Sequence, residues 1–226
     1  MIIAERKPLQ QIFEMLKSYR RIGILGCGTC VTVCMAGGQK EAEELAAALT
    51  IHRRREKEPV EVEAFTIERQ CEYEYIEQVK DRLAGYEVIL SLGCGVGVQT
   101  LVERMPELRV LPGVNTQSMG YPLEQGVWVE RCLGCGDCVL HVTLGICPIT
   151  RCAKSILNGP CGGSSGGKCE IDPEVDCAWH LIHERMEKMG RLSELQAIQP
   201  PKDWSVSHHG GPRTVVREEV KLDRGQ

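Results

Sequence analysis

The residues of this chain best equipped for chemistry are its cysteines, 13 in a sequence of 226, far above ordinary intracellular usage. Disulfides explain them poorly. The number is odd, no export signal is visible, and a reducing cytosol keeps thiols reduced. Thiolate is a soft ligand that selects zinc, copper(I) and iron–sulfur clusters, so the expectation is metal ligation.

The strongest motif is Cys132-x2-Cys135-x2-Cys138, followed by Cys147-Pro148. Three thiolates two residues apart can take three corners of a cubane, and a Cys before Pro takes a further corner in bacterial ferredoxins. The gap before Cys147 is longer than the ferredoxin gap, so Cys147 closes either the same centre or the next. Iron–sulfur is favoured over zinc here. Cys152, Cys161, Cys169 and Cys177 follow at short Gly-rich intervals. Eight thiols divide evenly into two four-ligand sites, and for the second a closed zinc site and a cubane are equally open. The front half adds Cys27, Cys30, Cys34, Cys71 and Cys94, enough for one further centre with a thiol to spare. The expectation is therefore about two or three four-thiolate sites, at least one a [4Fe–4S] cluster.

Strands alternating with helices must position the front thiols. Arg21 to Cys27 reads as a buried strand running into a Gly-rich loop, and Gln39 to Ile51 is helix-forming throughout. A second unit has a strand at 60–67, then Cys71, then a helix over 73–84. A third has a strand at 87–92, then Cys94, then a helix from about Val98 to Met105, and Arg109 to Leu111 would add a fourth strand. This pattern predicts an α/β fold, a small parallel-sheet, Rossmann-like domain over 21–127. Parallel pairing brings Cys27, Cys71 and Cys94 to the carboxyl edge of the sheet, where open α/β sheets bind their ligands. Residues 1–20 read as an amphipathic docking helix carrying Leu9, Ile12, Phe13 and Leu16. Residues 128–190 read as a Cys-rich, metal-organised domain closed by a C-terminal helix with a stripe of Ala178, Leu181, Ile182, Arg185 and Met189. Residues 191–226 read as an extended tail, mobile or wrapped on a partner, with Trp204 as its large apolar residue.

Other chemistries find less support. Gly26-x-Gly28 follows a strand, yet the full dinucleotide fingerprint is missing. His180 and His183 fit a solvated or core helix face better than a ligand pair. Arg53-Arg54-Arg55 reads as a solvated helix end, and His208-His209 lies in the polar tail. No catalytic residues are assigned. A net charge of −4 disfavours nucleic acid and anionic membrane surfaces, no apolar run approaches the roughly 20 residues of a membrane span, and the chain reads as cytoplasmic.

At Cys132-Leu-Gly-Cys-Gly-Asp-Cys138, Gly145-Ile-Cys-Pro-Ile-Thr-Arg-Cys-Ala-Lys154, Asn158-Gly-Pro-Cys-Gly-Gly163, Gly167-Lys-Cys-Glu170 and Asp176-Cys-Ala-Trp179, the chain resembles the methylenetetrahydrofolate reductase C-terminal domain family. Within it, the resemblance is to the separate small subunit (MetV type) of the acetogen reductase. Gly26-Cys-Gly-Thr-Cys30, Cys34 and Gly37-Gly38 also fit, so the likeness covers about residues 20 to 195. The resemblance implies a flavin-containing barrel subunit as catalytic partner, the reduction of methylene-tetrahydrofolate to methyl-tetrahydrofolate in the Wood–Ljungdahl pathway, and further redox subunits. Flavin is then expected on the partner and not on this chain. It implies an accessory subunit that passes electrons through iron–sulfur clusters to that flavin. The alternative is a zinc-containing structural scaffold joining the flavoprotein to other redox subunits.

Overall fold

The structure is a computed structural model and describes residues 1–221. It divides into two units, Met1–Glu130 and Arg131–Gln226. The first contains, in order, β1 (Ile2–Arg6), α1 (Leu9–Leu16), β2 (Arg21–Cys27), α2 (Cys30–Val33), α3 (Gln39–Arg55), β3 (Glu61–Ile67), α4 (Tyr73–Glu77), α5 (Lys80–Leu83), β4 (Val88–Ser91), α6 (Gly95–Arg104), β5 (Val110–Pro112), β6 (Val114–Glu124) and β7 (Val127–Cys132).

Strands β3, β2, β4 and β5 form a parallel sheet in that order. Every residue of β2 from Ile22 to Cys27 is buried, as a central strand covered on both faces must be. The side-chain alternation of a strand divides the apolar residues between two cores. Ile22, Ile24, Val88 and Leu90 pack with Ile12 and Leu16 of α1 and Ala42, Leu45 and Leu49 of α3. Leu25 and Ile89 pack on the opposite face with Ile76, Leu83 and Leu101 of α4, α5 and α6. Helices therefore cover both faces, and the expected parallel α/β architecture holds.

Four local expectations need correction. The expected docking helix is shorter, and Ile12 and Leu16 are fully buried in the first unit's own core, so its apolar stripe is already covered. Arg53 is not solvated. It is 4% exposed and donates to the carbonyls of Lys17 (2.5 Å), Tyr19 (3.3 Å) and Glu58 (3.2 Å). It thereby satisfies carbonyls of the segment leading from α1 to β2 that have no helical partner. The single helix expected over 73–84 is broken between Glu77 and Lys80. Finally, β1, β6 and β7 form a second, antiparallel-paired sheet that the sequence reading did not anticipate. Ile2 lies opposite Met119 and Arg6 opposite Val114, with a bulge between Ile3 and Ala4. Most of β6 is exposed or half-buried, so it lacks the strong apolar alternation that betrays a strand.

The second unit is sparsely helical, with α7 (Pro148–Arg151) and α8 (Ala178–Lys188). Its core is small: Trp179, Ile182 and Met186, with Ile146, Ile156 and Leu195 among the side chains against them. Of the stripe expected on α8, Ala178 and Ile182 are buried, whereas Met189 is 51% exposed. Trp179 and Met186 complete the buried face. The tail is fastened in its first part. The Asn158 side chain grips the backbone of Gln199 with two hydrogen bonds, 2.9 and 2.7 Å. The Lys202 ammonium, its side chain 1% exposed, bonds the Asp137 carbonyl and lies 3.2 Å from the Asp137 carboxylate. Arg213 donates to the Gly134 carbonyl at 3.1 Å and also to the Val206 carbonyl. Residues 202–213 thus strap the loop from Cys132 to Cys138. The strap lies so close to Gly136 that an added Cβ there would collide with the Val206 carbonyl, and its φ of +85° also favours glycine. Among the described residues, no helix is long and apolar enough to cross a membrane.

Candidate metal centres

The front thiols are positioned by the ends of parallel strands. Cys27 closes β2, Cys71 follows β3, and Cys94 is the residue from which α6 starts. Cys27 is 7% exposed, with its sulfur 3.8 Å from both the Thr29 hydroxyl and the Glu68 carbonyl. Partial burial pushes the Cys71 thiol above its ordinary pKa, and the neighbouring Cys27 and Cys94 push it the same way. Cys27 and Cys94 are thus both near enough to Cys71 to act on it. Cys30 opens α2 and Cys34 follows its end. Cys34 is buried and donates to the Ile2 carbonyl at 3.5 Å. Burial raises its pKa, with Cys30 adding to the effect.

The Gly26-x-Gly28 turn is not a phosphate cradle. Its N–H groups are already used, Cys27 to the Gly37 carbonyl at 2.9 Å and Gly28 to the carbonyls of Ile67 and Glu68 at 2.9 and 3.1 Å. A phosphate loop needs such donors free and convergent.

In the second unit, Cys152, Cys161, Cys169 and Cys177 line one pocket, together with Ile156 and Trp179. Local bonding puts them there. The Cys169 N–H donates to the Val175 carbonyl at 2.9 Å and the Cys177 N–H to the Gly167 carbonyl at 2.8 Å, around a β-bridge between Lys168 and Asp176. Cys152 follows the end of α7 and packs against the unit's core. Trp179 closes one side, its indole N–H held by the Ile156 carbonyl at 3.0 Å, and a Lys154–Glu170 ion pair joins two further lining residues. The Cys161 thiol is lowered in pKa, chiefly by a hydrogen bond from the Gly163 backbone, with Lys154 adding charge.

The loop from Cys132 to Cys138 is more open. Cys132 and Cys138 are exposed and Cys135 is half-buried. The Gly134 N–H donates to the Cys132 sulfur at 3.3 Å, and the Cys135 thiol lies 3.6 Å from the Asp137 carbonyl. Cys147 precedes α7, its sulfur 3.6 Å from the Thr150 hydroxyl. Among the described residues, no group of three or more His, Cys, Asp or Glu side chains is disposed to hold a metal ion. What the structure brings to one pocket is the four thiols of the second unit, while Cys27, Cys71 and Cys94 share the carboxyl edge of the front sheet. In kind and number, the four thiols of the pocket fit a four-thiolate centre. His180 and His183 are exposed, with His180 3.5 Å from Glu184.

Three residues of these sites were missed by sequence reasoning. Trp179 figures only in the motif Asp176-Cys-Ala-Trp179, Lys202 reads as part of a polar tail, and Gln70 carries no local signal at all.

An α/β unit followed by a thiol-rich unit with little core of its own defines the class of this protein. Within it, residues 111–205, from β5 to the start of the strap, match the family model described as methylene-tetrahydrofolate reductase C terminal. No curated protein and no solved structure matches the chain.

Proposed function

We propose that this chain is an accessory electron-transfer subunit of a methylenetetrahydrofolate reductase of the MetV type. It holds iron–sulfur clusters that serve the flavin of a catalytic barrel subunit in the Wood–Ljungdahl pathway. The observation that carries the reading is the convergence of Cys152, Cys161, Cys169 and Cys177 on one pocket within the family-matched segment. When bound, a cluster of this kind supplies a one-electron site whose potential follows its hydrogen bonding and burial.

The chain's own residues would contribute three things. The four thiols anchor the centre, and the Cys169 and Cys177 backbones, pinned in a short ladder, fix two of those anchors. Trp179 and Ile156 keep water from one side of the pocket. Backbone donors already aimed at sulfur, Gly134 toward Cys132 and Gly163 toward Cys161, stabilise thiolate charge and would tune what is bound. The loop of Cys132, Cys135 and Cys138 with Cys147, and the front thiols, are further ligand sets on the same reading.

The test is metal content. Protein purified without oxygen should be brown and contain iron with acid-labile sulfide, and its broad visible absorption should bleach on reduction. Mixed with the barrel flavoprotein, it should accelerate flavin reduction by a low-potential donor. A colourless protein carrying stoichiometric zinc and no sulfide would overturn the reading in favour of a scaffold.

A further inference from the structure

A buried amide lies among the strand-end loops that carry Cys27, Cys71 and Cys94. Gln70 and Ser91 are both 0% exposed. The Gln70 Nε2 donates to the carbonyls of Leu25 at 2.8 Å and Gly26 at 3.0 Å. Its Oε1 accepts from the Ser91 hydroxyl at 2.5 Å, and the Ser91 oxygen in turn accepts from the Gly93 N–H at 3.2 Å.

The amide sits where β4 stops short of β2. β4 ends at Ser91, opposite Leu25 of β2, so β2 overhangs it by two residues. At that end the Leu25 carbonyl already accepts from the Leu92 N–H at 2.8 Å, and the Gln70 amide joins it as a second donor. Gln70 donates to the Gly26 carbonyl as well, and the network leaves both atoms of its amide bonded.

The same residue touches each of the three loops that carry Cys27, Cys71 and Cys94. Its two donor bonds hold the residues just before Cys27. Its backbone is bonded directly to Cys71. Through Ser91 it holds Gly93, the neighbour of Cys94. An added Cβ on Gly93 would come within 2.5 Å of the Gln70 amide, and one on Gly97 within 2.8 Å of its Cβ. The loop and first turn that present Cys94 are therefore packed directly onto this residue. An apolar side chain could fill the volume but could join none of the loops.

We infer that Gln70 is the positioning residue of the front thiol site, and that its amide holds the strand-end loops in the register that presents Cys27, Cys71 and Cys94 together to a thiophilic metal centre. The inference rests on the reading of these thiols as one ligand set.

The experiment uses the full chain, metal-free and reduced, with phenylarsine oxide as probe. This trivalent arsenical bridges thiols only where their sulfurs lie close together, and peptide mapping by mass spectrometry locates each bridge. Wild-type protein should show bridges among Cys27, Cys71 and Cys94. Gln70→Met should weaken them by at least about tenfold, a loss of the size of one or two hydrogen bonds, with bridging among Cys152, Cys161, Cys169 and Cys177 unchanged. Ser91→Ala removes the hydroxyl that joins Gln70 Oε1 to the Gly93 N–H and leaves the Gln70 bonds to Leu25 and Gly26, so it should lose bridges to Cys94 while keeping Cys27 to Cys71. Leu101→Ala, a core truncation on the sheet face away from α1 and α3, serves as the stability control. It should lower the melting temperature and leave the front bridges intact.

Wild-type bridging in Gln70→Met, or equal loss in Leu101→Ala, would overturn the positioning role. If Gln70→Met does not fold, the Ser91→Ala pattern decides: uniform loss or no loss rejects the inference. A wild-type protein with no front bridge rejects both the inference and the front ligand set, while the four-thiol pocket still stands or falls on its iron and sulfide.

Discussion

Trp179 links the two features of the second unit, its small core and its four-thiol pocket. It is 5% exposed, lines the pocket, and is one of only three residues at the centre of the core. Trp179→Ala removes a large fraction of that core at once, and we expect it to destabilise the second unit by about 3–5 kcal/mol. Trp179→Phe keeps a ring but loses the bond to the Ile156 carbonyl, and should cost less, with about 1 kcal/mol of it from that bond. Calorimetry of the metal-free proteins checks both values. A loss below about 1 kcal/mol for the alanine variant would mean that the pocket wall is not held by this core.

At the level of elements, two contacts between distant segments carry testable weight. The Glu87 carboxylate accepts the N–H groups of Arg20 at 2.6 Å and Arg21 at 3.2 Å, tying the start of β2 to β4. Those backbone bonds hold its pKa below the ordinary value of 4.5. A group with a depressed folded-state pKa contributes stability that is present above the unfolded value and lost as pH falls through the folded one. Glu87→Gln should therefore be less stable than wild type at neutral pH, and the difference should shrink below about pH 4.5. Denaturant midpoints at pH 7 and at pH 3 provide the comparison; an unchanging difference would remove the assignment. The second contact is the strap. A chain ending at Gln199 loses both Lys202 and Arg213, so the half-buried Cys135 should become as accessible as Cys132 and Cys138. We expect iodoacetamide to modify it several-fold faster in the metal-free protein. An unchanged rate would show that the strap does not cover this loop.

For the whole molecule, the two units differ in what holds them folded. The first has cores on both faces of a parallel sheet, with residues such as Leu45, Leu49, Ile89 and Leu101 at no more than 1% exposure. The second has three central core residues and eight cysteines. On the proposed function, a segment so built would draw folding free energy from bound metal. Calorimetry of the metal-loaded protein should resolve two transitions, and a strong chelator should abolish or sharply lower one while leaving the other nearly in place. A single transition that moves as a whole would instead mean that metal supports both units.

Much of this was legible in the sequence because it is local. The buried run from Ile22 to Cys27, the helix former from Gln39 and the alternation of strands and helices encode a parallel sheet through short-range periodicity. That topology by itself carries Cys27, Cys71 and Cys94 to one edge. The spacing from Cys152 to Cys177 likewise marked a four-thiol set that the fold brings to one pocket. Other features depend on partners far away in the chain, and no local pattern records them. Arg53 reads as one of three solvated arginines until the Lys17 and Tyr19 carbonyls, more than 30 residues earlier, take it into the interior. Lys202 reads as tail until it meets Asp137, 65 positions earlier. Gln70 is an ordinary polar residue until the Gly26 carbonyl at the end of β2, 44 positions earlier, meets its amide. Periodicity and ligand spacing are properties of neighbouring residues and so were determined by the sequence alone. The pairing of a buried polar group with its partner is a property of where distant segments meet, and only the tertiary structure decided it.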